Sequence, residues 1–224
     1  MNIDDVEIIR EVNVNSSDAL IIVDMQNDFM PGGALPVEEG DQIIEDINKI
    51  ADLFKNKGGK IIITQDWHPP NHKSFASQHE GKNPGDEYQT DGIGPILWPD
   101  HCVQGTEGAE FHKELESGLA DAIIRKGMNP DVDSYSGFLE NDKNSKTSLD
   151  EKLRELGIKR IFTSGLALDY CVGFTALDGA DLGYEVYFLI DLTKGIDLPP
   201  GNVSNCLEDM NNKGIKFANK NSFK

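Results

Sequence analysis

A cysteine, an aspartate and a lysine, far apart in the chain, each stand where an apolar run ends. Together they could do nucleophilic chemistry. Cys171 follows the run Arg160 to Ser164 and a short turn, and an amphipathic stretch begins at the cysteine itself. This pattern predicts a thiol in the first turn of a helix, at the carboxyl end of a strand, with Asp169 as the N-cap. The partial positive charge of a helix N-terminus favours the thiolate. Ligands of open α/β sheets bind at that edge. Asp24 closes the apolar run Leu20 to Val23, and Lys126 closes AIIRK. If these strands are parallel neighbours, a proton acceptor, a cation and a thiol project from one edge, as a thiol nucleophile requires. Taken singly, each residue has a plainer use. A small cysteine packs a helix on a sheet, a strand-end Asp caps a turn, and a strand-end Lys extends to water.

A second group could hold a metal. His68, His72, His79 and His101 lie in or beside the stretch Asp66 to Thr106, which is rich in Pro, Gly, His and Trp and lacks periodicity. A loop that long inside a compact domain is usually functional. In QDWHPPNHKSF, Asp66 and His68 are two positions apart just after a strand, so in extended chain they point the same way. His101 returns in WPDHCVQGT. Imidazole plus carboxylate suits zinc, iron or manganese, with water in the open positions. His72 is a further candidate ligand and Cys102 a weaker one. The plainer use of these histidines is to cap turns and stack on Trp67 or Trp98.

The elements that must position these groups alternate along the chain. Strands are expected at Ala19 to Val23, Lys60 to Thr64, Ala122 to Lys126, Arg160 to Ser164, Glu185 to Ile190 and Ile215 to Ala218. Helices are expected at Asp41 to Lys57, Ser148 to Leu156, Cys171 to Leu182 and Asn202 to Lys213. Gly58 and Gly157 fit helix C-caps. Apolar strands joined by helices mean a parallel sheet covered on both faces. The 224 residues are expected to form a single domain over 18–224, with an extension at 1–17 and a metal-binding loop at 66–106.

Composition narrows the function classes. Lysine and arginine total 21 against 39 aspartates and glutamates, a net charge of -18, and the acids are scattered rather than blocked. Such a chain will not bind nucleic acid or an anionic membrane through general electrostatics. The start MNIDDVEIIREV has neither the basic region nor the long apolar core of a secretory signal, and no stretch approaches a membrane span. Three cysteines, an odd number, fit free thiols and a cytoplasmic setting.

Several separated motifs, in order, resemble the isochorismatase-like cysteine hydrolases and, within them, the nicotinamidases. They are IIVDMQNDFMPGGALPV, TQDWHPPNHKSFAS, LWPDHCVQGTEGAEFH, KGMNPDVDSYSGF, and GLALDYCV followed by TALDGADLGY. The resemblance covers about Leu20 to Gly195. It implies an α/β three-layer sandwich around a parallel, roughly six-stranded sheet. It also implies hydrolysis of nicotinamide to nicotinate and ammonia in NAD salvage. Carried over position by position, the catalytic triad falls on Asp24, Lys126 and Cys171, and the ligands of one divalent ion, zinc foremost, on Asp66, His68 and His101. The oxyanion hole falls on the backbone N–H groups of Ala167, after a cis peptide bond, and Cys171. Phe29, Trp98 and Tyr135 match the aromatic walls of the pocket. His72 stands where members of the family differ, and Leu168 and Tyr170 depart from the commoner threonine and histidine. The partner implied is a small amide, with oligomeric states in the family running from monomers upward. Other amidases or hydrolases of the superfamily, which lack the Asp/His/His set, and a non-catalytic metal-binding protein on the same fold are the alternatives.

Overall fold

The computed structural model describes residue 1 and residues 3–224. Six strands form one sheet: β1 (Asp18–Val23), β2 (Lys60–Asp66), β3 (Ala122–Lys126), β4 (Arg160–Leu166), β5 (Glu185–Lys194) and β6 (Lys216–Ala218). Every adjacent pair is parallel, in the order β3-β2-β1-β4-β5-β6. Successive strand residues face opposite sides of the sheet, and the core divides accordingly. Leu20, Ile22, Ile61 and Ile63 pack under helix α1 (Ile44–Asn56), which contributes Ile47, Ile50 and Phe54. Ala19, Ile21, Val23 and Ile161 pack under α2 (Leu149–Glu155), α3 (Gly173–Asp181) and α4 (Asn202–Asn212). The result is the expected three-layer sandwich. Gly58 and Gly157 end α1 and α2 at positive φ (83° and 70°), the left-handed conformation a C-cap needs.

The strand order reverses between β1 and β4, so their carboxyl ends diverge and leave a crevice, the usual ligand position in such sheets. Asp24 follows β1 at this point, and Ala167 follows β4. Residues 8–12 lie beside β6 and the chain end. Ile8 bridges Phe217, Val12 bridges Phe223, and Val12 and Val14 are buried. No helix among the described residues is long and apolar enough to cross a membrane.

Two boundaries differ from expectation in ways that matter for the site. β2 runs on to Asp66 because β3 continues to pair with it, with Asp66 opposite Lys126. The helix expected at Cys171 starts at Gly173, and Leu168–Val172 form a wider helical turn in which Tyr170 leaves helical geometry. The loop after β2 holds itself by short pairings, His68 with Val103 and Phe75 with Trp98.

Candidate active site

Lys126 is the centre of the site. It is wholly buried. Its Nζ lies 2.9 Å from Asp24 Oδ2 and 2.5 Å from Asp66 Oδ1, and donates to the Ser134 carbonyl at 2.7 Å and to Cys171 Sγ at 3.3 Å. Strand register brings these groups together: neighbouring parallel strands set Asp66 beside Lys126, and Asp24 leaves the adjacent strand end. Asp24 has positive φ (49°), which aspartate tolerates better than most residues. Thr64 Oγ1 donates to its Oδ1 at 2.6 Å, and Oδ2 faces the Lys126 ammonium. One carboxylate oxygen each of Asp24 and Asp66 and the Cys171 sulfur lie within 4.8 Å of one another.

Burial would strip Lys126 of its proton, but Asp24, Asp66 and Cys171 outweigh it and hold the ammonium charged. Burial pushes the Asp24 carboxyl up, against the pull of Lys126. Burial also raises Asp66, yet Lys126, His68 and His101 together hold it well below the usual carboxylate range. The Cys171 thiol is pushed well up by burial; Lys126 draws it down, and Asp24 and Asp66 oppose that. Cys171 follows the kink at Tyr170, in the helical turn that runs into α3, and is buried beside two carboxylates that oppose the thiolate. Asp169 is not the N-cap of α3. Val172 holds that position without a side-chain cap bond, and the Asp169 carboxylate points to residues 196–202.

Asp66, His68 and His101 each offer a ligand atom within 4.8 Å of the others, all three residues buried. His68 Nδ1 meets the Gly127 carbonyl at 2.9 Å and His101 Nδ1 the Pro99 carbonyl at 2.8 Å. A carbonyl only accepts, so each Nδ1 carries a proton and each Nε2 is the atom left to face an ion. His68 Nε2 is buried with no hydrogen-bond partner, an orphan that suits a bound ion. Burial, then the charge of His68, pushes His101 down to about 4. Burial opposes protonation of His68, but Asp66 outweighs it and moves that imidazole upward.

His72 is arranged differently. Its Nδ1 accepts from the Ser74 N–H at 3.3 Å and meets Ser74 Oγ at 2.7 Å, and its Nε2 meets the Val132 carbonyl at 3.2 Å. Both ring nitrogens are engaged, one by Ser74 in the loop and one by Val132 after β3, although the ring lies 4.3 Å from that of His68. Cys102 is buried, and its backbone N–H donates to Asp28 Oδ2 at 2.7 Å. Burial pushes its thiol well up, and it stands outside the donor clusters.

A pocket open in part to solvent joins the two groups. Phe29, Trp98 and Tyr135 line it with Asp66, His101, Ala167 and Cys171. Trp98 Nε1 donates to Tyr135 Oη at 3.1 Å, and Tyr135 Oη donates to the Gly94 carbonyl at 2.9 Å, fixing two walls. Ala167 follows a cis peptide bond from Leu166. The arrangement can deprotonate a thiol, hold a flat ring between aromatic walls and bind a metal a short distance away.

The sequence profile of the isochorismatase domain matches residues 18–220. The chain belongs to the isochorismatase family. It is 46% identical over 196 residues to a nicotinamidase of Escherichia coli, covering 88% of this chain and 92% of that one. A nicotinamidase/pyrazinamidase structure from Acinetobacter baumanii superposes with a TM-score of 0.87 at 42% identity, covering 92% of this chain and 97% of its own. A pyrazinamidase of Pyrococcus horikoshii in complex with zinc gives a TM-score of 0.75 at 45% identity, covering 91% and 99%.

Within this family fold, several residues at the site escaped the sequence reading. Gln26 clamps Asp66 through both backbone groups, donating to its carbonyl and accepting its N–H at 2.8 Å each. Asp133 lines the pocket, buried, within reach of His68 and His72. Leu35, Tyr170 and Ile196 complete the lining. The signal for Asp133 was its place two residues before Tyr135 in VDSYSGF, and for Tyr170 its place next to Cys171. Gln26 and Ile196 carried none.

Proposed function

We propose that this chain hydrolyses nicotinamide to nicotinate and ammonia through a thioester on Cys171, as a cytoplasmic step of NAD salvage. The observation that carries this reading is the buried Lys126. It touches the thiol and two carboxylates, one of which also belongs to the Asp66, His68, His101 donor set. The nicotinamidases among its relatives support the choice of substrate.

Asp24 Oδ2 takes the Cys171 proton as sulfur attacks the amide carbonyl. The S–C bond forms, and the carbonyl electrons move onto oxygen. The backbone N–H groups of Ala167 and Cys171 hold that oxyanion, each such donor being worth about 3 kcal/mol. Asp24 then gives its proton to the amide nitrogen, the C–N bond breaks and ammonia leaves. Water adds to the thioester with Asp24 again taking a proton, the C–S bond breaks, and nicotinate departs as the thiol recovers its hydrogen. Lys126 stays charged throughout, and Phe29, Trp98 and Tyr135 sandwich the ring.

Asp66, His68 and His101 would hold one divalent ion. Zinc is the first choice because the Pyrococcus horikoshii relative is in complex with it; iron and manganese suit the same donors. When bound, such an ion supplies a Lewis-acidic contact for the ring nitrogen. The test is ammonia release by metal-loaded protein from nicotinamide and from benzamide, which lacks that nitrogen. Release from nicotinamide, much slower from benzamide and reduced on chelation through weaker substrate binding, is the expected result. No release from nicotinamide overturns the reading.

A further inference from the structure

The turn that carries Cys171 is tied to a second stretch of chain by a carboxylate that the chemistry above does not use. Asp169 is 2% exposed. Its Oδ1 accepts the Ile196 N–H at 2.9 Å, and its Oδ2 accepts the Asp197 N–H and the Asn202 side-chain amide, each at 3.0 Å. The same amide donates to the Asp169 carbonyl at 3.2 Å. One residue on, Tyr170 Oη donates to the Leu198 carbonyl. Asp197, at positive φ (54°), accepts the N–H groups of Gly201 and Val203 at 3.0 Å each, fastening the segment to the start of α4. Charge-assisted bonds of this kind hold geometry more firmly than neutral ones.

What the segment does follows from its two sides. Ile196 lines the pocket beside Ala167, Tyr170 and Cys171. The Tyr170 ring meets Trp98 and Tyr135 edge-on, at centroid distances of 5.0 and 5.2 Å. Leu198 and Pro199 face away, lining an outer cleft with Tyr88 and Ile96. The strap therefore stands between the pocket and that cleft. We propose that residues 195–199 form the wall that limits substrate size, and that Asp169 is the positioning residue that holds this wall against the nucleophile turn. The class admitted is a carboxamide on a single unsubstituted aromatic ring; amides with a bulky ring substituent are excluded. This substrate class rests on the nicotinamidase reading, whereas the wall itself does not.

Asp169→Asn replaces one acceptor oxygen with a donor, so at least one N–H of the strap faces another N–H. Ile196→Ala removes the wall's side chain and leaves the anchor. Two readouts apply. The first is kcat and KM for nicotinamide and for a phenyl-substituted nicotinamide. The second is labelling of Cys171, located by mass spectrometry, with N-phenylmaleimide and with iodoacetamide. Both variants are expected to raise KM for nicotinamide more than they lower kcat. Both are also expected to raise the bulky-to-small ratio in each readout by about tenfold, the scale set by one or two methylenes in a pocket. A role confined to structure would lower the melting temperature and leave both ratios alone. If Asp169→Asn does not fold, Asn202→Ala, which removes one of the three donors, is expected to move the ratios in the same direction by a smaller factor. Labelling ratios within twofold of wild type in Ile196→Ala overturn the wall, and the same result in Asp169→Asn or Asn202→Ala overturns the anchor. A wild type that releases no ammonia from nicotinamide overturns the substrate class alone, because labelling still decides the wall.

Discussion

Asp24 and Lys126 stand at or just beyond the carboxyl ends of β1 and β3, and Cys171 in the turn that follows β4, whereas His101 sits in the loop after β2 and His68 is held there by a single bridge to Val103. On the strand side, register does the positioning, and side chains meet because their backbones are already paired. On the loop side, individual polar contacts do it. The His68 N–H donates to the Cys102 carbonyl at 3.0 Å, its Nδ1 meets the Gly127 carbonyl at 2.9 Å, and the Gln104 side chain donates to the Trp67 carbonyl at 2.7 Å. Lys126 crosses between the halves through Asp24 and Asp66. The contrast implies that strand-side changes should affect chemistry with the frame intact, loop-side changes should affect binding, and changes at Lys126 should affect both.

The largest expected effect is that of Cys171→Ala. Ammonia release should fall by at least about a thousandfold, as losses of a nucleophile do. Metal content and melting temperature should stay near wild type, because the smaller residue perturbs neither strand register nor the loop. Residual activity above one part in a hundred would move the nucleophile elsewhere and undo the division between the halves.

Lys126→Met should cripple activity and also cost about 3–5 kcal/mol of stability, because it leaves two buried carboxylates unpaired. Its charge is the force that draws the Cys171 thiol down, so the inflection of alkylation rate against pH should move up. Asp66→Asn should move that inflection the other way, because Asp66 raises the thiol. Equal inflections in the two variants would show that Lys126 does not couple the halves.

Much of the strand side was legible before any coordinates. Apolar runs located the strands, the charged residues ending two of them marked Asp24 and Lys126, and the turn after a third marked Cys171. The motifs that carried the family resemblance span both halves. What failed to show depends on contacts between distant segments. β2 reaches Asp66 only because β3 pairs with it, and nothing in its own pattern says so. Asp169 reads as a helix cap from its neighbours, but its carboxylate goes to N–H groups at positions 196 and 197. Gln26 is an ordinary polar residue until the fold sets it against Asp66. The thiol's upward shift comes from burial beside two carboxylates, which strand periodicity does not reveal.

Removal of the metal, or His101→Ala, should act mainly on binding. KM for nicotinamide should rise by about tenfold or more and the preference over benzamide should narrow, consistent with the usual worth of a polar contact to a ligand. Alkylation of Cys171 by a small reagent should persist, since Asp24 and Lys126 remain in place. Titration calorimetry with nicotinamide, with and without chelator, checks the point, and equal affinities would make the metal a purely structural feature of the loop.

The smallest effect at neutral pH is expected at His72, where the halves should differ in acid. Burial, then the charge of His68, pushes this imidazole down to about 3. In the unfolded chain it titrates near 6.5. Between those values the unfolded state binds a proton that the folded state refuses, so stability falls as the pH drops through that window, by up to about 1.4 kcal/mol per pH unit. Asp24 on the strand side has the opposite sign. Its carboxyl is raised by burial, so it favours the fold in acid and loses that contribution as pH rises through its folded value. His72→Asn should therefore flatten the acid fall in the urea midpoint between about pH 6 and pH 4 while leaving the midpoint at pH 7 within about 1 kcal/mol of wild type. An unchanged acid slope would place the acid-sensitive group at His101 or Asp66 instead, both of which are also held below their ordinary values.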